Sequence, residues 1–261
     1  MENIKLGFIG LGKMGSALAN GIANANIVKK ENIYYYGPSK KCNTFKYLNS
    51  NQEIARECNI IICAVKPDVA CSVLKDIKTC LSEKLIISIC AGIKIERLEQ
   101  IVGENVKIVR VMPNTPCLVG EGSSTFCVNK NVNDIDKNYV ISIFSSCGII
   151  QEIKEKDMDI ASSLIGACPA YVCLFIESLI DAGVKNGLSR ELSKKLILKS
   201  IYGSVKLVEE SNLPVQQLKD NVCSPGGITA EALFTLEKNQ FKFAIVDAIT
   251  AGCEKSKTMF K

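Results

Sequence analysis

The sequence predicts an α/β chain in which a doubly wound parallel sheet is followed by an all-helical domain. Two patterns carry that prediction. Up to residue 153 short β-branched runs alternate with stretches of helical periodicity, and beyond residue 157 no convincing period-2 run remains. Strands are expected over residues 4–9, 33–36, 60–65, 85–89 and 106–111, with 124–128 and 149–153 extending the same sheet. Helices are expected between them over 14–25, 40–49, 68–81, 95–102 and 132–145, each near the length that a right-handed crossover requires. The boundary falls near residues 154–158, dividing the chain into domains of residues 1–155 and 156–261. In the second, residues 169–185 are apolar almost all round. Tyr171, Val172, Leu174, Phe175, Ile176, Leu179 and Ile180 occupy every side of that helix, which therefore needs cover on every side. Gly187 stops it, and Ser189 caps the next helix, which runs to about residue 211.

The composition bounds the chemistry. An apolar fraction of 47% with 23% charged residues, 7 Pro and 18 Gly over 261 residues describes a folded chain with a sizeable core. The complete absence of histidine closes every Ser-His-Asp, Cys-His and His-metal mechanism to this chain acting alone. Its 32 basic and 27 acidic residues leave +5, scattered without a basic stripe, which excludes a nucleic-acid partner and favours anionic small molecules. Thirteen cysteines are dispersed; Cys58 and Cys63, or Cys168 and Cys173, stand five apart, and no two-residue gap marks a zinc knuckle or redox motif. They are expected to be reduced, buried thiols, with no metal bound. Met1-Glu2-Asn3 leads straight into an apolar run at Ile4, and no eighteen uncharged apolar residues follow one another. The expected setting is the cytoplasm, without signal peptide or membrane span.

Gly10, Gly12 and Gly15 in GFIGLGKMG form G-x-G-x-x-G directly after the first strand and at the opening of a helix. This is the context of a Rossmann dinucleotide fingerprint, in which the first glycine makes a tight turn, the second admits the pyrophosphate and the third lets helix and strand pack closely. After the second strand, where an NAD-binding domain usually has an acid, the chain reads Tyr35-Tyr36-Gly37-Pro38-Ser39-Lys40-Lys41. A hydroxyl and two ammonium groups suit a 2′-phosphate, so NADPH is preferred, with NADH possible; a Gly-Pro turn with a solvated lysine pair is the alternative. Ala64-Val65-Lys66-Pro67, Ile89-Cys90-Ala91-Gly92 and the stretch from Val111 through Asn114 to Pro116 end successive strands and are placed to line one crevice, although Pro67 and Pro116 are equally good strand terminators. Finally, Asn221 through Thr229 contain Ser224-Pro225-Gly226-Gly227-Ile228 before a helix expected over 230–236. Backbone N–H groups and the Ser224 and Thr229 hydroxyls there would cradle a carboxylate; alternatively Thr229 simply caps the helix, with Glu231 favoured by its dipole.

Taken together, GFIGLGKMG, CAVKP, RVMPNTP, GACPAY and LKDNVCSPGGITAEALFTLE resemble the motifs of the pyrroline-5-carboxylate reductases, in order and spacing over essentially the whole chain. The resemblance implies NAD(P)H-dependent reduction of 1-pyrroline-5-carboxylate to L-proline by a Rossmann domain followed by an all-helical, interleaving dimerisation domain. It implies a homodimer or higher homo-oligomer. It also implies cofactor contacts from Ile9, Gly10, Leu11, Gly12, Lys13 and Met14, from Ser39 and Asn51, from Ala64, Val65, Lys66 and Pro67, and from Ile89, Cys90 and Ala91. Substrate contacts are implied at Asn221, Ser224, Gly227, Ile228 and Thr229, with Thr229 as the catalytic hydroxyl. Asn51 rests on the resemblance alone. Two motifs depart from the family pattern: Ala167-Cys168 stand where Ser-Gly is usual, and Ile228 where Thr or Ala is frequent. A β-hydroxyacid dehydrogenase would need a lysine on the first long helix of the second domain, and residues 164–181 contain none. A cofactor-binding sensor without turnover is the remaining rival.

Overall fold

The computed structural model describes residues 4–38 and 42–258. Within them one sheet is built from β1 (Leu6–Ile9), β2 (Ile33–Tyr36), β3 (Lys46–Tyr47), β4 (Ile60–Cys63), β5 (Leu85–Ser88), β6 (Lys107–Met112), β7 (Gly122–Val128) and β8 (Gly148–Glu152). The spatial order is β3-β2-β1-β4-β5-β6-β7-β8. Neighbours from β3 through β6 are parallel, whereas β7 runs antiparallel to β6 and parallel to β8. The chain steps outward from β1 to β3 and restarts at β4 on the other side of β1. The gap beyond the carboxyl ends of β1 and β4 is therefore the topological switch point.

Strand side chains alternate between two cores, as period 2 demands of a sheet covered on both faces. Leu6, Phe8, Ile60, Ile62, Leu85, Ile87, Val109 and Val111 pack on one side, where Leu18 and Ile22 of α1 (Lys13–Asn24) meet Val140, Ile143 and Phe144 of α5 (Asp134–Ser145). Ile9, Ile61, Cys63, Ile86 and Ile108 face the other side. There they meet Ile54 of α2 (Asn51–Glu57), Leu74 and Ile77 of α3 (Pro67–Ile77), and Leu98 and Val102 of α4 (Ile95–Val102).

The helix expected over residues 40–49 does not form in the described part, 42–49, which is bent and contains only the two-residue β3. Two local anchors explain the difference. The Tyr35 hydroxyl donates to the Cys42 carbonyl (2.7 Å) and accepts from the Cys42 N–H (3.0 Å), engaging backbone groups that a helix would use. The real helix start lies just downstream: Ser50 Oγ accepts from the Glu53 N–H (3.1 Å), while the Glu53 carboxylate accepts from the Asn49 N–H (2.9 Å). The cysteine expectation also needs correcting. All thirteen are free, but only Cys58, Cys63, Cys90, Cys117, Cys127 and Cys147 are buried; Cys173 is exposed and the others are half-buried.

The chain forms two compact units. One reaches Ala167 and includes the C-terminal stretch from Gly252; the other is Cys168–Ala251. The first ends in α6 (Met158–Ala161) and a π-helical turn, Ser162–Gly166. The second contains α7 (Cys168–Lys185), α8 (Arg190–Glu210), α9 (Val215–Asn221), α10 (Ile228–Lys238) and most of α11 (Phe241–Thr258). Ser189 caps α8 by accepting from the Leu192 N–H, and Gly187 takes a left-handed φ of 98°, both as expected. In this unit Leu174, Phe175, Tyr202, Val205, Phe234 and Phe243 are exposed, Phe234 by 67%, while Ile180 is buried. By length and composition Glu155–Lys185 is also apolar enough to cross a membrane. Its longest uncharged run, residues 160–176 between Asp159 and Glu177, stays short of eighteen, as expected.

One ion pair fastens the sheet to the segment leading into α6. Arg110 on β6, its side chain 4% exposed, donates to Glu155 Oε1 at 3.1 Å. The same oxygen accepts from the Ile95 N–H at the start of α4 (2.7 Å). Removing Glu155 leaves a buried guanidinium and an unpaired helix N–H. Glu155 is itself one-third exposed, so Glu155→Ala should cost about 2–3 kcal/mol, less than a fully buried pair. Urea unfolding measures it. Pairing the change with Arg110→Met should recover part of the loss, and a single-mutant cost under about 0.5 kcal/mol would show that the pair does not anchor the segment.

Candidate active site

At the carboxyl end of β1 three backbone segments meet at unusually short range. Gly10 has φ +91°, and a Cβ placed there would stand 2.7 Å from the Ala64 carbonyl oxygen. A Cβ on Gly15 would stand 2.7 Å from the Gly10 carbonyl oxygen. Both glycines are thus required by packing, and the turn is tied to the adjoining strands: Gly10 N–H donates to Tyr36 O, and Ala64 N–H to Ile9 O, each at 2.8 Å. Gly12 is different. It is the N-cap of α1, exposed, with no heavy atom within 4 Å of a Cβ built on it. No side chain caps α1 and its first turn holds no acid. An open, positively polarised helix start without a side chain in front of it fits a pyrophosphate.

The other expected cofactor residues lie along the same edge of the sheet. Leu11 is buried, Lys13 exposed and Met14 half-buried at the start of α1. Ala64 and Val65 follow β4, and Lys66 and Pro67 are the cap and first residue of α3. Ile89, Cys90 and Ala91 follow β5, with Cys90 buried beneath half-buried neighbours. Asn51 is the first residue of α2, shortly after the carboxyl end of β3, which places it on this edge too. Periodicity gave no reason to notice it, but the Ser50-x-x-Glu53 helix start was readable. Ser39, with Lys40 and Lys41, lies outside the described residues. Beyond β5 and β6 a cavity of about 310 Å³ is lined in part by Ala91, Gly92, Met112, Ser163 and Gly166. Asn114 ties β7 to the π-helical turn: its Oδ1 accepts from the Ser123 N–H (2.9 Å) and its Nδ2 donates to Ile165 O (3.1 Å).

The second motif lies in the helical unit. Asn221 ends α9, its Oδ1 accepting from Gln217 Nε2 at 3.0 Å. Lys219 sits 3.2 Å from the Asp220 carboxylate, whose hydrogen bond raises the ammonium pKa. Gly226 turns the chain at φ +68°, and the Gly227 N–H donates to Ser224 O (2.9 Å). Gly227, in extended backbone, is the N-cap of α10. Thr229 therefore stands one residue inside the first turn and not at the cap, because the tight 224–227 turn starts the helix two residues early. The Ile228 and Thr229 N–H groups, in that first turn, have no partner within the helix. Ile228 is 91% exposed, and Thr229 half-buried.

Residues 155–259 match the family described as pyrroline-5-carboxylate reductase dimerisation, and residues 5–92 the one described as NADP oxidoreductase, coenzyme F420-dependent. Pyrroline-5-carboxylate reductase of Escherichia coli (strain K12) is 37% identical over 265 residues, covering 98% of both chains. This chain belongs to the pyrroline-5-carboxylate reductase family. The reductase of Methanosarcina acetivorans is likewise 37% identical, with 100% of both chains covered. The crystal structure of Plasmodium falciparum pyrroline carboxylate reductase with NADP bound has a TM-score of 0.96 and 68% identity over 100% of both chains. The doubly wound sheet followed by helices is thus the fold of this reductase family.

The two kinds of fingerprint glycine separate in a simple pair of variants. Gly12→Ala meets no atom, so stability should change by less than about 1 kcal/mol, the scale of an N-cap change. Its NADPH affinity should nevertheless fall at least tenfold, about 1.4 kcal/mol. Gly10→Ala, strained at positive φ and against Ala64 O, should instead lose about 2–3 kcal/mol of stability. Calorimetric titration and thermal melts read both, and a Gly12→Ala protein binding NADPH normally would remove the pyrophosphate from this turn.

Proposed function

We propose that the chain reduces 1-pyrroline-5-carboxylate to L-proline at the expense of NADPH, the last step of proline synthesis, as a cytoplasmic homodimer or higher homo-oligomer. Residues 1–155 hold the cofactor; residues 156–261 provide the dimer surface and the substrate loop. The observation that carries this reading is the pairing, in one chain, of a helix start left open at Gly12 with a Gly-Gly helix start bearing Thr229. Pyrroline-5-carboxylate-dependent oxidation of NADPH tests it directly; its absence, with NADPH still bound, would favour the sensor.

Ile9 through Met14 and Ala64 through Pro67 take the dinucleotide backbone, Ile89 through Ala91 the nicotinamide end, and Ser39 and Asn51 the adenosine ribose. When bound, the dihydronicotinamide supplies the hydride for the ring C=N carbon. The protein's own work is orientation and charge. Ile228 and Thr229 N–H groups bind the substrate carboxylate, with Ser224, Gly227 and Asn221 shaping the cradle, and the Thr229 hydroxyl hydrogen-bonds the ring nitrogen. An imine is basic enough to arrive protonated or nearly so, which is how a chain with no histidine can complete the reduction.

Cofactor choice and the hydroxyl are separately testable. NADPH should have the higher kcat/KM, and Ser39→Asp should reverse or flatten that preference by repelling the 2′-phosphate; unchanged selectivity would place the 2′ end elsewhere. Thr229→Val keeps the side-chain shape and removes the oxygen. If the hydroxyl only positions a protonated imine, kcat/KM should fall by roughly 10- to 150-fold, the equivalent of about 1.5–3 kcal/mol. If it relays the proton, kcat should fall by roughly 10²–10⁴-fold, with the variant relatively better at low pH. A loss within about threefold would remove Thr229 from both roles.

A further inference from the structure

Two cysteines far apart in sequence meet beneath the edge where the cofactor residues gather. Cys63 closes β4 and Cys90 follows β5, and their sulfurs lie 3.8 Å apart. Both residues are buried. Cys90 Sγ also lies 3.3 Å from the Val65 carbonyl oxygen and 3.5 Å from that of Cys63. Cys63 thus adjoins one segment assigned to the cofactor, residues 64–67, and Cys90 lies within the other, residues 89–91.

We propose that Cys63 and Cys90 form a reversible oxidation site, in which a small hydroperoxide joins them as a disulfide and thereby weakens NADPH binding. The inference rests on the reading that these two segments hold the cofactor. The roles are asymmetric. The hydrogen bond that Cys90 shares with the Cys63 sulfur holds the Cys90 thiol below its ordinary pKa, against the opposing effect of burial. The same contact, and then burial, push the Cys63 thiol well up. Cys90 is accordingly the attacking sulfur. Its thiolate attacks a peroxide oxygen, the O–O bond breaks, and Cys90 becomes a sulfenic acid as the departing oxygen leaves as water or alcohol. Cys63 sulfur then attacks the Cys90 sulfur; the S–O bond breaks, and water leaves with the Cys63 proton. Two thiols lose two electrons, the peroxide gains them, and a dithiol reverses the change.

The bond moves the site because a disulfide requires about 2.05 Å between sulfurs, well short of the present 3.8 Å. Cys63 is held in the ladder: it pairs with Ile9 and Ser88, and its carbonyl accepts from the Ile89 N–H at 3.1 Å. Cys90 lies past the last paired residue of β5, so closure draws Cys90 and the adjoining Ala91 inward, away from the crevice.

The test treats fully reduced protein with hydrogen peroxide, quenches with catalase, alkylates, and maps disulfide-linked peptides, alongside titrations of NADPH. The expected result is a peptide joining Cys63 to Cys90, suppressed by prior NADPH, with NADPH affinity at least about tenfold weaker and restored by dithiothreitol. Cys63→Ala should keep the affinity of the reduced parent and lose the reversible response. No Cys63–Cys90 peptide when other cysteines have reacted, a linked protein of unchanged affinity, or a reversible loss that persists in Cys63→Ala would each overturn the proposal. Failure of the reduced parent to bind NADPH would count instead against the cofactor assignment, since the peptide map reads the bond alone.

Discussion

The contact on which the rest depends is the meeting of backbone with backbone at the end of β1. Gly15 allows α1 to lie against the Gly10 carbonyl, and Gly10 allows the turn to lie against Ala64 at the end of β4. Side chains at either position would push α1 off the sheet. With α1 seated, its first turn opens directly at the switch point between β1 and β4. The parallel arrangement repeats this: α2 follows β3, α3 follows β4 and α4 follows β5, so every one of these helices begins on the same edge. Four positive dipole ends open on that edge, and Lys13, Lys66 and Lys94 stand at the starts of α1, α3 and α4. The edge therefore favours an anionic ligand for electrostatic reasons that the net charge of +5 only hints at.

What could be read from the sequence followed from how strongly each residue's neighbourhood constrains it. The central strands were legible because burial on both faces leaves near-continuous β-branched runs such as Ile60–Cys63, and the observed ends differ from expectation by one or two residues. The error at 40–49 arose at the sheet edge, where β3 is two residues long and leaves no run to recognise. There the decisive information was a cap, Ser50 with Glu53, and a tyrosine hydroxyl reaching back from a neighbouring strand. The first is local in sequence and was readable; the second is tertiary and was not. The same division applies to the sites. Gly10, Gly12 and Gly15 announce themselves by spacing, whereas Cys63 and Cys90 come together only because parallel pairing aligns two strand ends.

The Gly-Gly turn shows how two readings of one motif can be partly combined. A capped helix and a carboxylate cradle compete for the same backbone donors. The Ser224 carbonyl engages the Gly227 N–H and so fixes the turn, and Gly227 becomes the cap without any side-chain oxygen. Because no side chain folds back over the helix start, the N–H groups of Ile228 and Thr229 are left to an external acceptor. A Ser, Asp or Asn cap would have filled them itself. The absence of a capping side chain is therefore what leaves this turn open to the carboxylate proposed for it, as it also leaves Gly12 open at the start of α1.

The proposed substrate loop is carried by helices that lack a core of their own. Ile180 is the buried apolar side chain of α7, while Leu174 and Phe175 on the same helix are exposed, as are Tyr202 of α8, Phe234 of α10 and Phe243 of α11. Helices of this length gain most of their stability from a packed face, and apolar area of this extent asks to be covered. Under the proposed association, the partner supplies that cover, so the free energy of dimer formation and of helix ordering is one quantity and not two. The 224–227 turn inherits this dependence, because its geometry is set by α9 and α10, the helices it joins. Cofactor binding does not, because the fingerprint sits on a sheet with two complete cores. The two halves of the proposed reaction thus rest on different physics: one on a fold that is finished within a single chain, the other on a surface that a second chain completes.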